Sequence, residues 1–569
     1  MAMTKQKIRI AVFSGPTATV QNSEPLVTSN KAREQHGLAP LTHPDGSPQR
    51  FDALRPQRLA APVKVYVQQF SAHPLERDAA DLYGPPDGYV DATGTFHKAR
   101  SSPQDMPVYE VTLRPGDGLY PLPYMARQAD GKPWDDQSAY PLAPASHTRQ
   151  TFYPDASRVF EEIDRFGLGE DGLANLLSSK ADFDFFRAAP SGGYQKGLPA
   201  ALRSDVGAGD IAAEIWGKDF WPYRPPHLRA DPPRARLAFI TNIVQQAMAS
   251  GGYGGAIWLE GSPNVEESIY WLNLLIDTDV PICGNSSQRP HGALSNDGDR
   301  NIVDSVDYIV SGIWRGADGR DTIGAVAILD EIIFHSREVQ KADARPGGYV
   351  ATGGHGGIVG TIGQPGPPAL TFRPARLHTH RSAVRLSSLP SKVSGVLRRE
   401  GRIAAVAVEV KDARGQLLSN AIPQVSFHKS GRYLPRDEAT DDSAEVEILA
   451  RIEDNLKSAP LAGFVGEGVA PFGSLTRNMD AALERAVFSG MPVVKVGRGN
   501  AEGMVPITPG TVFISGSNLT ATKARLLLMA CLMKFGALPP AVDPSRPTAA
   551  ERTAVQAKVA EYQAVFNSH

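Results

Sequence analysis

Between Arg234 and Leu329 the chain switches repeatedly between two hydrophobic periods, and that alternation limits its possible folds more than any other feature. RARLAFITNIVQQAMAS (234–250) places apolar residues at helical spacing and is stopped by Gly251 and Gly252. The apolar run AIWLE follows, then the turn GSPN, then a second helical pattern, VEESIYWLNLLI. A strand pattern (VPICG), the loop NSSQRPHGALSNDG, a helix (NIVDSVDYIVSG) and another strand pattern (GAVAIL) complete the stretch. Short strands spaced by helices are joined most simply as parallel neighbours, because a parallel connection needs about a dozen residues or more. The pattern predicts an α/β, doubly wound and mainly parallel sheet. Ligands of such sheets bind beyond the carboxyl ends of the strands, so the loops after AIWLE and VPICG are where chemistry is expected.

At 569 residues the chain exceeds a single core. Ile8–Phe13 reads as a buried strand that ends in SGPTATV, bounded by Gly15 and Pro16. Residues 1–30 then hold the first strand of an N-terminal α/β domain, and 206–390 hold its remainder. Between them, 31–205 is rich in proline, glycine, tyrosine and aspartate with weak periodicity, which predicts a loop-rich insertion with a helical piece near 157–166. Residues 446–545 carry a second, smaller α/β pattern, from LAGFVGEG to TATKARLLLMACLMKFG. The segment 391–445 reads as a linker or small β insertion, and 546–569 as a helical tail.

Composition removes several classes. With 59 basic and 61 acidic residues, net charge −2, nothing calls for nucleic acid or an anionic membrane. The N-terminal apolar run is too short for a signal peptide, and no stretch of roughly 18 apolar residues offers a membrane span. A cytoplasmic protein is the simplest expectation. The two cysteines, Cys283 and Cys531, lie in apolar runs and read as buried thiols rather than a disulfide framework.

Four features carry possible chemistry: the hydroxyls Thr17 and Ser262, each in a loop after a strand; Lys341; and the run GGHGG (353–357). A hydroxyl is a weak nucleophile until a base takes its proton, and a desolvated lysine can be that base. Backbone N–H groups near Gly15 and Gly261 could then hold an oxyanion. Plainer readings compete. Asn264 is a good helix N-cap, Glu266 and Glu267 suit the positive end of a helix, His355 reads as a loop residue, and Arg289 and Asp297 as loop braces. No His/Cys/Asp cluster has metal-ligand spacing, so neither metal nor cofactor is expected.

Several of these segments resemble the bacterial-type L-asparaginase/glutaminase family. VFSGPTATV is similar to its amino-terminal T-G-G-T-I-A signature, with Thr17 at the nucleophile. EGSPNVEESIYWL is similar to H-G-T-D-T-M-E-E-T-A-Y-F-L, and RPHGALSNDGDRNI to an R-P…S-A-D-G…N stretch through Arg289, Pro290, Ser295, Asp297, Gly298 and Asn301. DEIIFHSREVQK is similar to N-D…R-D-V-T-K, with Lys341 at the catalytic lysine, and SGMPVVKVGR and FISGSNLTATKARLLLMACL resemble carboxyl-domain elements. The resemblance implies a two-domain asparaginase-like fold, acyl transfer by a hydroxyl, a small-molecule amide substrate, and a homo-oligomer, dimer or tetramer. It also implies a substrate-binding set of Gly15, Lys218, Asp219, Gly261 and Asn264.

The chain departs from the family at informative places. The aspartate that holds the substrate's α-amino group is replaced by Pro263, which offers neither charge nor N–H. No tyrosine follows the first threonine closely, since the first tyrosine is Tyr66; the carboxylate-gripping motif aligns only on Gly217, Lys218 and Asp219; and the carboxyl-domain G-x-G-N loop reads GEGVAP. The expectation is an amidohydrolase acting on an amide, lactam or imide other than free asparagine. Thr17 or Ser262 attacks and Lys341 handles the proton. The alternatives are an asparaginase-like binding or sensing protein without turnover, and L-asparaginase itself. The insertion is expected either to cover the mouth of the site or to serve as a surface or oligomer contact.

Overall fold

The computed structural model describes residues 7–15, 234–289, 295–352, 357–363, 366–431, 441–470, 472–498 and 505–569. Between 16 and 233 it describes 26–29, 51–53, 55–58, 63–67, 87–91, 96–113, 119–122, 159–160, 163, 176–187, 194–195 and 220–222. The larger sheet is nine-stranded. Its parallel centre consists of β1 (Ile8–Ser14), β2 (Ala181–Arg187), β3 (Gly255–Leu259), β4 (Ile282–Asn285) and β5 (Val326–Leu329), in the order β2-β1-β3-β4-β5. Antiparallel strands extend one side: β6 (Ile332–His335) beside β5, then Ile358–Thr361 and Ala369–Leu370. A separate hairpin pairs β7 (Val339–Lys341) with β8 (Tyr349–Ala351).

Helices α1 (Arg236–Ala249), α2 (Val265–Leu275) and α3 (Gly298–Ser311) cover the two faces. Successive side chains of a strand point to opposite faces, and the central strands are apolar on both. Ile10, Val12, Ile257 and Leu259 pack with Val306 and Ile309 of α3, whereas Ala11, Phe13, Ala256 and Trp258 pack with Val244 of α1 and Ile269 and Leu272 of α2. That two-sided burial is why AIWLE reads as a continuous apolar run.

The second, four-stranded parallel sheet consists of Gln424–Lys429, Ala462–Gly468, Val493–Gly497 and Ile514–Ser515. Its helices include α4 (Ala521–Phe535) and the tail helix α5 (Ala549–Ser568), which opens on a full capping box between Thr548 and Glu551. The core of this unit is not closed within itself. Tyr270, Trp271, Leu274 and Leu275 of α2 lie in the same apolar cluster as Phe464, Leu527 and Leu528.

Two findings go beyond the sequence reading. Ala181–Arg187, inside the expected insertion, lies parallel beside β1 and shares its sheet. Its alternating Phe183 and Phe185 against Asp182 and Asp184 is a period-2 signal. Val159, Phe160 and Ile163 are helical and buried on the same core. Gln424–Lys429, from the expected linker, is a strand of the second sheet. Among the described residues no helix is long and apolar enough to cross a membrane.

Candidate active site

Three parallel strands end side by side at one edge of the sheet. Strand β1 stops at Gly15, β3 at the turn Glu260–Asn264, and β4 at Ser286. Gly15 donates its N–H to Leu259 O (2.8 Å) and Glu260 donates to Asn285 O (3.0 Å), so the three strand ends are stitched side by side. Gly15 also has to be glycine. A Cβ there would overlap Glu260 Oε2 and lie 2.7 Å from the Trp258 ring. Because its N–H is spent on Leu259, Gly15 itself cannot supply the oxyanion donor that the sequence suggested there.

The turn after β3 is braced from both sides. Trp258 Nε1 donates to Ser268 Oγ (2.9 Å), tying the strand to the first turns of α2. Val265 N–H donates to Gly261 O (3.2 Å) and Glu266 N–H to Pro263 O (3.0 Å), and the Ser262–Pro263 peptide is cis. Asn264 occupies the N-cap position but its side chain makes no cap bond, because its own backbone is already helical (φ −55°, ψ −27°). Its side chain and that of buried Glu260 instead border a cavity of about 440 Å³, whose other walls include Arg234, Arg236 and Arg525.

Ser262 points the other way, to the β7–β8 hairpin. Tyr349 Oη donates to Ser262 Oγ at 2.7 Å and lies 3.1 Å from the buried hydroxyl of Ser286, so one phenol links the ends of β3 and β4. Lys341 and Tyr349 are register partners in the hairpin. Such pairs put both side chains on one face, and Lys341 Nζ sits 4.5 Å from the centre of the Tyr349 ring. The amine donates to Arg345 O (3.1 Å), not to Ser262. Burial lowers its proton affinity below that of an ordinary lysine, while Asp343, Asp297 and Glu266 partly restore it. Burial keeps the Tyr349 phenol protonated beyond its usual range, against its hydrogen bonds with Ser262 and Ser286. The arrangement is two serine hydroxyls and one partly desolvated amine gathered on a single phenol.

The hairpin is held to α2 by Glu266, whose Oε2 accepts the Lys341 N–H at 2.5 Å. Burial raises the Glu266 carboxyl, and the Lys341 N–H and Lys523 lower it. Glu267 pairs with Arg525 (2.5 Å). Glu266 and Glu267 are therefore not just a helix-start charge pattern; both reach groups outside their own helix. Asp297 does brace its loop, accepting from the N–H groups of Gln288 (3.0 Å) and Arg289 (2.9 Å). Asn301 donates to Ser286 O (2.8 Å) and so places the hydroxyl that meets Tyr349. Cys283 and Cys531 are buried free thiols.

Ser262, Lys341, Gly15, Gly261 and Asn264 thus lie around this edge, with Ser262 and Lys341 brought to one phenol. Thr17, Lys218, Asp219 and His355 lie outside the described residues. β1 nevertheless ends at this edge with Ser14, three residues before Thr17 in the chain. Sequence reasoning missed Tyr349, Ser286 and Glu260. The first was legible as the partner of Lys341 across the Gly-Gly turn of ARPGGY.

Residues 233–356, which contain Ser262, Lys341 and Tyr349, match a family model described as asparaginase, N-terminal. This segment of the chain is similar to the asparaginase family. It is 32% identical over 108 residues to an L-asparaginase of Bacillus licheniformis (19% of this chain, 32% of that protein). It is 29% identical over 105 residues to a glutaminase-asparaginase of Acinetobacter glutaminasificans (18% and 30%). The matches thus span about a third of the length of these similar proteins. A crystal structure of a probable cytoplasmic L-asparaginase from Campylobacter jejuni aligns over 59% of this chain and 84% of its own, at 21% identity and a TM-score of 0.42.

Proposed function

We propose that this asparaginase-family protein is an amidohydrolase that cleaves a non-peptide C–N bond, in an amide, lactam or imide, through a hydroxyl nucleophile. The observation that carries the reading is the junction at Tyr349, whose hydroxyl donates to Ser262 while the Lys341 amine lies over its ring. The attacking hydroxyl, Thr17 or Ser262, passes its proton toward the Tyr349–Lys341 pair as it adds to the carbonyl. The tetrahedral intermediate collapses to an ester on that residue, and the departing nitrogen takes a proton and leaves. Water then hydrolyses the ester and restores the hydroxyl. No step needs a metal or cofactor.

Pro263 supplies no charge for a substrate ammonium, and a buried unpaired ammonium is costly. Free asparagine is accordingly expected to be a poor substrate. One observation favours a second reading, hydrolysis of asparagine: Glu260 holds a buried carboxylate against Gly15, at the root of the loop that carries Thr17. As part of the proposal the protein works as a homo-oligomer, which light scattering on the purified chain tests.

The deciding experiment is a hydrolysis screen, read as ammonia release for primary amides and asparagine and as ring opening by mass spectrometry for lactams and imides, run with Thr17→Ala, Ser262→Ala and Lys341→Ala beside the parent. An electrophilic amide mimic, followed by peptide mass spectrometry, reads which hydroxyl is acylated. Equal rates in all four proteins, or no hydrolysis and no adduct, would replace the hydrolase with a binding or sensing protein.

A further inference from the structure

Lys523 is a residue that neither the motifs nor the site geometry assigned. It lies in the first turn of α4, in the second α/β unit, and is 1% exposed. A cation at the positive end of a helix gains nothing from the helix dipole, and burying an ammonium is costly unless its donors are satisfied. Its donors leave its own unit altogether. Lys523 Nζ donates to Glu266 O in the first turn of α2 and to Ser336 O (2.7 Å), and it lies 5.3 Å from the centre of the Tyr270 ring. These three partners satisfy an ammonium that has three N–H groups.

The two carbonyls are the relevant ones. Glu266 is four residues beyond Ser262, and its carboxylate takes the backbone N–H of Lys341. Ser336 stands just ahead of β7, which ends at Lys341. One buried amine therefore fixes the helix start behind Ser262 and the entry to the strand that carries Lys341. Arg525, two residues on, pairs with Glu267 and clamps the same helix turn from the same side.

We propose that Lys523 is a positioning residue, holding the segments of Ser262 and Lys341 in register from the second α/β unit. The inference rests on the amidohydrolase reading for its consequence but not for its test. An apolar side chain of similar length would fill the space and leave two buried carbonyls without their common donor, so the hairpin and α2 would be tied to each other less firmly, through the Glu266–Lys341 bond.

The test uses the full chain with Lys523→Met and Lys523→Arg. The control is Lys534→Met, a lysine of the same helix that donates to Ala383 O, away from the site. Amide hydrogen exchange is followed in peptides covering 336–349 and 262–275. The pH dependence of Lys341 acetylation is read by competitive labelling and mass spectrometry. Lys523→Met is expected to speed exchange in both peptides at least tenfold and to shift the Lys341 labelling midpoint. Lys523→Arg, which keeps the charge with a bulkier head, is expected to show a smaller change in the same direction, and Lys534→Met none.

Unchanged exchange and labelling in a folded Lys523→Met protein would overturn the proposal, as would an equal effect from Lys534→Met. Should Lys523→Met not fold, unchanged exchange in Lys523→Arg overturns it instead. Neither readout needs turnover. Altered exchange with no amide hydrolysed by the parent sinks the hydrolase reading alone, and unaltered exchange in an active enzyme sinks this inference alone.

Discussion

Tyr349→Phe separates the two things that the phenol does. The ring stays, so the hairpin register and the Lys341 contact at 4.5 Å are preserved. What goes is a hydroxyl that donates to Ser262 at 2.7 Å and meets Ser286 at 3.1 Å. Ser286 is 1% exposed and is left with a buried hydroxyl, which costs about 1–3 kcal/mol. Ser262 is half-buried, and its lost bond is replaced by water at little cost. A stability loss of about 1–2 kcal/mol is expected, seen as a lower urea midpoint at unchanged m. If the phenol takes part in proton transfer, kcat/KM on the best substrate of the amide screen falls further, by about 10²-fold or more, equivalent to about 2.7 kcal/mol of barrier. Ser286→Ala is the control: it removes the buried hydroxyl without stranding a partner, since Tyr349 keeps its bond to Ser262, and should cost less stability than Tyr349→Phe with a rate within a few-fold of the parent. A Tyr349→Phe protein with the parent's kcat/KM would refute the role given to the phenol and leave it a structural strut.

Other outcomes follow from the same geometry. Gly15→Ala forces a Cβ against Glu260 and the Trp258 ring and should lose about 1–3 kcal/mol in thermal or urea unfolding. Burial holds the Lys341 amine below the ordinary lysine value of 10.5, so the rate should rise with pH along a limb that lies below that value. Lys341→Arg should lack the limb, and a profile unchanged in that variant counts against Lys341 as base. Burial by itself would raise the Glu338 carboxyl, but His335 (2.7 Å) and Arg337 (2.5 Å) pull it down to about 2. A depressed carboxylate contributes fully above its unfolded value of 4.5 and is lost as pH falls toward about 2. Glu338→Gln should therefore destabilise the protein at pH 7 and flatten its acid unfolding curve between those limits.

The fold was largely legible because both faces of the central sheet are covered. Ile257 and Trp258 face opposite layers, so the strand had to be apolar throughout, and α1 and α2 had to show a helical stripe to cover it. The strand Ala181–Arg187 escaped notice because it sits far along the chain from its partner β1, and local periodicity carries no information about which distant strand it will pair with. At the site, Ser262 and Lys341 were singled out from motifs, whereas Tyr349 gains its place only from the hairpin that sets it across from the lysine.

Taken alone, the residues determined the alternating strands and helices between Arg234 and Leu329, the turn that carries Ser262, and Lys341 as a second candidate group, because hydrophobic period and turn chemistry are local properties. Only the tertiary structure decided that a single phenol joins Ser262, Ser286 and Lys341, that the Gly15 N–H is already spent on Leu259, and that Glu266 and Glu267 are met by Lys523 and Arg525 more than 250 positions downstream. Those facts depend on side chains meeting across the fold, and the energies that bring them together, burial and the satisfaction of buried donors, are properties of the packed molecule rather than of any segment in it.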